Sequence, residues 1–149
     1  MRKLFVFDLD GTISDLTHRL YLIKCDKPDW PSFYRSCVND NPKKWIIDLL
    51  NICRDQGEIL ILSGRSDEVE GYTRDWLRDN DVLYDYLIMR EAGNYEPDDK
   101  LKKRMMDAFL SDKDFEVQFI VDDRQRVVDM WRDNGYKVLQ CEAWEENGK

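Results

Sequence analysis

Residues 5–12 read Phe-Val-Phe-Asp-Leu-Asp-Gly-Thr, FVFDLDGT, and this order decides how the rest of the chain is read. Apolar residues suited to a strand buried on both faces run into two carboxylates separated by one residue, and a glycine follows at once. An acidic residue at a strand's end is often only the cap of the next helix. Capping accounts poorly for this stretch. Gly11, directly after the second carboxylate, permits close backbone approach and offers an unencumbered amide, features that serve to hold a phosphate.

Further along the chain, residues 58–63, 86–90, 117–122 and 137–141 join 3–8 as short runs of Val, Ile, Leu and Phe that read as buried strands. Between them lie helical patterns. Residues 42–57 place Trp45, Ile46, Leu49, Leu50 and Cys53 on one stripe, with Pro42 near the start and Gly57 at the stop. Residues 67–80, 97–112 and 124–135 behave similarly, with Trp76 and Trp131 at core positions. Such alternation predicts an α/β, Rossmann-like three-layer fold around a central parallel sheet of five strands. Residues 11–41 break the periodicity and are expected to form a small cap insertion after the first strand, an irregular loop with short helical pieces near the ligand. The polar tail from Glu142 to Lys149 is expected to fray.

A chain of 149 residues, 42% hydrophobic and 12% aromatic, has the makings of one domain and one core over 1–149. No stretch approaches the ~18 consecutive apolar residues of a membrane span, and the N-terminus turns acidic too early for a secretory signal. A soluble, cytoplasmic protein without a membrane partner is expected. Cys25, Cys37, Cys53 and Cys141 form no CxxC pair and have no histidine cluster beside them, so reduced thiols are expected. The formal charge of −8 argues against broad electrostatic adhesion to nucleic acid. Any phosphate-bearing partner must therefore be gripped locally.

In open parallel sheets ligands bind at the carboxyl ends of the strands. The first strand ends in Asp8 and Asp10, the second in Ser63-Gly64-Arg65, and the fourth in Asp122-Asp123-Arg124. Four carboxylates at one rim repel one another unless a cation sits among them, and oxygen donors of this kind suit Mg²⁺. Helix capping stays open as the simpler account of Ser63-Gly64-Arg65-Ser66-Asp67 and of Val121-Asp122-Asp123-Arg124 taken alone.

Taken together, these pieces resemble the ordered motifs of the haloacid dehalogenase superfamily of phosphatases. FVFDLDGT resembles its first motif, the Ser63 run ILILSGR its second, Lys102 its third and IVDDR its acidic fourth. The resemblance spans nearly the whole chain. It implies that Asp8 is a nucleophile forming an aspartyl-phosphate and that Asp10 is the general acid and later the base. It further implies that Mg²⁺ is held by Asp8, the Asp10 carbonyl and Asp122, with Asp123 in support. Ser63 and the amides near Gly11, Thr12 and Gly64 would bind phosphoryl oxygens, and Lys102 would pair with them and with Asp8.

A finer likeness is to the phosphatase half of phage-type polynucleotide kinase-phosphatases, which remove 3′-phosphates from nucleic-acid ends during repair. It rests on SGR at 63–65, KCD at 24–26, MREAGNYEPDDKLKK at 89–103 and VDDRQRVVDMWRDNGYKVLQC at 121–141. Arg19, Arg65, Asp98 and Lys102 match functional positions of that group. Arg19 and Arg65 would then grip phosphate in planar, bidentate geometry, and Asp98 and Lys102, four residues apart, would share a helix face as an orienting pair. The implied substrate is a 3′-phosphorylated DNA or RNA end, with a separate kinase or ligase as a possible partner. This chain has no GxxxxGK[ST] loop, so 5′-kinase activity is not expected.

Two other readings stay in play. A phosphatase for small nucleotides would use the same residues, and the size of the insertion distinguishes the two, since a large cap encloses a small substrate. A receiver-type signalling module also gathers acids and a lysine around Mg²⁺, but it lacks the DxDGT pattern. Trp30, Phe33 and Tyr34 suit either base stacking or packing of the lid. His18 is expected to be a solvated polar residue. The run Lys100-Leu101-Lys102-Lys103-Arg104 reads as a modest basic patch or a solvated helix face.

Overall fold

The computed structural model describes residues 1–144. In chain order its elements are β1 (Arg2–Phe7), β2 (Ser14–Asp15), α1 (Trp30–Arg35), β3 (Asn41–Pro42), α2 (Lys44–Arg54), β4 (Glu58–Ser66) and α3 (Glu70–Asp79). They continue with β5 (Tyr86–Arg90), α4 (Asp98–Leu110), β6 (Phe115–Asp122), α5 (Gln125–Asp133) and β7 (Val138–Gln140). All five expected strands and all four expected helices are present.

The main sheet has the order β5-β4-β1-β6-β7, and every pairing in it is parallel. Alternation along the strands divides the core into two. Phe5, Phe7, Ile59 and Ile61 point to one face, where α2 and α3 cover them with Ile46, Leu50, Trp76 and Leu77. Leu4, Val6, Leu60 and Leu62 point to the other, beneath Leu101, Met106, Val127 and Trp131 of α4 and α5. Because both faces are covered, the strands carry continuous apolar runs rather than an apolar-polar alternation. The result is a three-layer, Rossmann-like α/β fold.

After β1 the chain moves through α2 to β4, whereas after β6 it moves through α5 to β7 on the opposite face. The carboxyl ends of β1 and β6 therefore border the crevice where connections diverge. Asp8 follows the first of these strands and Asp122 closes the second.

Residues 11–41 are built mostly as expected. β2 and β3 pair antiparallel, Ser14 with Pro42 and Asp15 with Asn41, and pinch the insertion shut at its base. Between them run a 3-10 turn at Thr17–Leu22, α1, and a second 3-10 turn at Ser36–Asn39. Helix α1 begins where the Asp29 carboxylate accepts from the Ser32 amide at 3.1 Å, with Pro31 in its first turn.

Three expectations need correction. Ser63-Gly64-Arg65 does not end a strand but lies inside β4. The ladder to β5 is irregular between Leu62 and Ser66 and resumes at the Ser66–Arg90 pair, a bulge that re-aims the intervening side chains. The tail does not fray from Glu142. Lys43 lies 3.6 Å from Glu142 and over the Trp144 ring, and the Trp144 indole bonds Asp123, so the chain is anchored through residue 144; the remainder of the tail lies outside the described residues. Finally, 100–104 is neither a basic patch nor a wholly solvated helix face, since Leu101 and Lys102 are buried while Lys103 pairs with Asp107 and Arg104 with Glu96.

Candidate active site

At the end of β1 the chain turns tightly. The amides of Thr12, Ile13 and Ser14 all approach the Leu9 carbonyl, at 3.1, 2.9 and 3.1 Å. Gly11 takes φ +85, a left-handed conformation that a side chain would strain, and this turn sets Asp8 and Asp10 on one rim. The Gly11 amide is not free, as the sequence suggested, because it donates to the Ser14 carbonyl at 2.8 Å. Its own carbonyl accepts from Lys43 Nζ at 2.9 Å.

Asp8 is almost wholly buried between neighbours that fix both its oxygens. Lys102 Nζ lies 2.7 Å from Oδ1, and the Thr12 hydroxyl donates to Oδ2 at 3.0 Å. The same ammonium donates to Asp122 Oδ2 at 3.1 Å. Burial alone would drive Lys102 toward the neutral amine, but the Asp122 and Asp8 carboxylates outweigh it and raise its pKa well above the ordinary lysine value. Lys102 is therefore a fixed cation at this site.

Asp8, Asp122 and Asp123 each present an oxygen within 4.8 Å of the others, and all three are buried. Asp122 Oδ1 accepts from the Asp123 amide at 2.9 Å, while Asp123 meets the Thr12 hydroxyl at 3.3 Å and the Trp144 indole at 2.7 Å. Three buried carboxylates gathered this closely, in surroundings that penalise negative charge, make an all-oxygen donor set that fits Mg²⁺. Asp10 enters such a site only through its carbonyl, because its side chain turns elsewhere.

That side chain is held by two buried guanidinia. Arg19 Nη2 lies 2.7 Å and Arg65 Nη2 2.5 Å from Asp10 Oδ1. Asp40, at the end of the insertion, binds Arg19 through both its oxygens and reaches Arg65 at 3.4 Å. Burial opposes the charge on each arginine, but Asp10 and, for Arg19, Asp40 hold both pKa values above the ordinary value. Arg65 is further tied to Thr73 of α3 at 3.0 Å, and Arg19 to the Phe33 carbonyl at 3.1 Å. The two arginines read from the sequence as phosphate clamps both bond Asp10 and Asp40 here, and the buried Arg65 Nε has no hydrogen-bond partner among the described residues. His18 is not simply solvated either, for its Nε2 sits 2.7 Å from Asp40 Oδ1.

The remaining residues divide as follows. Ser63 is buried, and its hydroxyl accepts from the Arg65 amide at 3.0 Å. Asp98, at the first position of α4, acts on Lys102 through its charge, while its oxygens turn to two arginines. Arg90 Nη2 lies 2.6 Å from its Oδ1 and Arg124 Nη1 3.3 Å from its Oδ2. Gly64 makes room for it, since a Cβ at that position would stand 2.3 Å from Asp98 Oδ1. Sequence reasoning passed over Asp40, Arg90 and Trp144. Arg90 alone left a trace, as a cation ending an apolar strand.

Asp8, Asp10, Gly64 and Arg65 share a cavity of about 490 Å³. The insertion forms its apolar wall, with Phe33 in the core and Trp30 and Tyr34 facing the opening. Arg90 at the end of β5, Tyr95 in the loop that follows and Asp98 at the start of α4 form the polar one.

This fold and this gathering of acids define a haloacid dehalogenase-like protein. The L-2-haloacid dehalogenase of Xanthobacter autotrophicus shares the fold at a TM-score of 0.61, with 14% identity over 94% of this chain and 77% of that one. The family model described as the polynucleotide kinase PNKP phosphatase domain matches residues 2–145, and the chain belongs to that family. Two solved structures are more similar still. A chain of the Pnkp1/Rnl/Hen1 complex matches at TM-score 0.78 and 28% identity over 97% of this chain and 47% of that one. A chain of the Pnkp1/Rnl/Hen1 RNA repair complex matches at 0.79 and 29% over 95% and 43%. The present chain spans about half the length of these relatives. No helix among the described residues is long and apolar enough to cross a membrane.

Proposed function

We propose that the protein is a Mg²⁺-dependent phosphatase that removes the 3′-phosphate from a DNA or RNA end, with residues 1–149 acting as one phosphatase domain. The observation carrying this reading is Asp8, pinned between Lys102 and Thr12 beside Asp122 and Asp123, with Asp10 held one residue further along the turn. Asp8 attacks phosphorus and the ester P–O bond breaks, forming an aspartyl-phosphate. The departing 3′-oxygen takes a proton from Asp10, which must first take one up from solvent because its carboxylate is ion-paired with Arg19 and Arg65 at rest. Asp10 then takes a proton from the water that attacks phosphorus, which releases phosphate and restores Asp8.

Asp8, Asp122, Asp123 and the Asp10 carbonyl would hold Mg²⁺, which when bound lowers the repulsion between a carboxylate and a phosphate dianion. Lys102 contributes a positive charge in the same place without titrating. Ser63 and the Gly64 amide would hydrogen-bond the phosphoryl oxygens. Arg19 and Arg65 act one step back, orienting the Asp10 carboxylate through the contacts described above, and Asp98 orients Arg90 and Arg124. Polynucleotide ends are favoured over free nucleotides because the insertion, of about thirty residues, leaves a cavity open to a chain end. The two relatives sit in assemblies with Rnl and Hen1, one of them described as an RNA repair complex, which supports a role in end repair beside separate partners.

The test is turnover with Mg²⁺ on a 3′-phosphorylated oligonucleotide, its 5′-phosphorylated isomer and free nucleotides, alongside Asp8→Asn. The expected result is release from the 3′ end and its abolition by the substitution. Equal rates on free nucleotides would instead support the small-nucleotide reading.

A further inference from the structure

A phosphoryl group fills only part of a cavity of about 490 Å³, a size typical of a pocket for a small organic ligand. What borders the rest is aromatic. Trp30 stands at the rim of the insertion wall and is 44% exposed, which leaves apolar surface in water that a core position would bury. On the loop that forms the opposite wall, Tyr95 is 90% exposed and still borders the same cavity.

Trp30 is not loosely placed. Arg19, bonded to Asp10, lies 4.4 Å over the Phe33 ring, and Phe33 meets Trp30 edge-on at 5.6 Å. Tyr34 braces the indole at 5.9 Å with the rings tilted by 34°. A continuous series of contacts thus runs from the candidate acid-base residue to the exposed indole. Aromatic faces held at a fixed distance from a phosphoryl site accept any base through stacking and need no hydrogen-bond code. Half-exposed Arg124 and Arg126, paired with Asp98 and Asp99, lie on the same cavity.

We propose that Trp30 and Tyr95 form a base-binding subsite for the 3′-terminal nucleotide, with Trp30 as the stacking face and Tyr95 as the second aromatic surface. This rests on the reading of the chain as a polynucleotide 3′-phosphatase. The subsite gives preference for a terminal nucleotide that carries a base without selecting which base it is.

The experiment compares KM and kcat for a 3′-phosphorylated trinucleotide and the same molecule with its terminal base removed, using wild type, Trp30→Ala, Tyr95→Ala and Trp30→Phe. In wild type, base removal raises KM by about ten-fold or more. In Trp30→Ala the penalty for base removal shrinks to about two-fold, because the indole and the base are coupled, and Trp30→Phe restores most of it. Tyr95→Ala reduces the penalty in the same direction by a smaller factor. Equal KM for the two substrates in wild type, or the same base penalty in wild type and Trp30→Ala, overturns the subsite. Release from neither 3′ end, with release from another phosphate ester, overturns the underlying reading and the subsite with it.

Discussion

Arg19 and Asp40 form a two-point clasp in which Nε lies 2.8 Å from Oδ1 and Nη2 2.8 Å from Oδ2, with both side chains fully buried. The same Nη2 holds Asp10, so the far end of the insertion sets the orientation of a carboxylate at the tip of β1. Replacing Asp40 with Ala leaves two buried guanidinia short of a counter-charge. The expected cost is about 3–5 kcal/mol of stability, read by urea denaturation, with Asp40→Asn costing less because it keeps the shape. An Asp40→Ala protein as stable as wild type would show that Asp10 alone balances both arginines.

Sequence patterns exposed the sheet and hid this clasp for a physical reason. Strands such as Lys3–Asp8 and Val117–Asp122 announce themselves locally, as apolar runs closed by acids, and the acids sit where strand ends must meet. Asp40 acts across 21 residues of chain from Arg19, through an insertion without periodicity, so no local pattern marks it. Trp144 lies in a polar tail whose composition gives no sign of the indole's contact with Asp123. The likeness points to Arg19 and Arg65, whereas the fact that they bond Asp10 depends on burial and direction, which spacing does not encode.

Gly64→Ala tests how tightly Asp98 is held. A Cβ at 2.3 Å from Asp98 Oδ1 must displace that carboxylate from Arg90 and disturb the polar wall. Phosphate release is expected to fall by more than about ten-fold, while the melting temperature moves by only a few degrees, since the clash is confined to the rim. Unchanged turnover would mean that Asp98 can move aside without consequence.

Lys102→Met leaves Asp8 and Asp122 facing each other without their shared ammonium. Without added metal the variant is expected to lose about 3–5 kcal/mol of stability, and Mg²⁺ should raise its melting temperature more than that of wild type. Turnover should fall at least about a hundred-fold. The direction of the lysine shift also fixes a pH result. Since its folded pKa is raised, the stability it contributes is fully present below the ordinary lysine value and is lost only as pH rises through the folded one. Wild-type stability should therefore show no lysine-dependent change between about pH 5 and 9.

The four thiols should separate by reactivity. Cys25 is exposed, whereas Cys37, Cys53 and Cys141 are wholly or partly buried. Burial pushes the Cys141 thiol up to about 11, with the Thr12 hydroxyl only partly offsetting it, and raises Cys37 and Cys53 as well. In iodoacetamide at about pH 8, peptide mass spectrometry should find Cys25 modified at least about ten times faster than Cys141. Comparable rates would show that residues 138–144 open readily from the site.

Trp144 gives the most direct check on how the acidic cluster is held. Its indole donates to Asp123 Oδ2 at 2.7 Å, while Lys43 spans the Gly11 carbonyl, Glu142 and the face of the same ring. A donor on one oxygen fixes which way the other points, and losing such an outer contact typically costs ten- to a hundred-fold in metal affinity. Trp144→Phe keeps the ring and removes the donor. Calorimetric titration with Mg²⁺ alone should show weaker binding by about ten-fold, and the Mg²⁺ concentration giving half-maximal phosphate release should rise in parallel. Trp144→Leu, which removes the ring as well, should weaken binding further by releasing Lys43. Wild-type Mg²⁺ affinity in the phenylalanine variant would mean that Asp123 is oriented by Thr12 and the backbone alone.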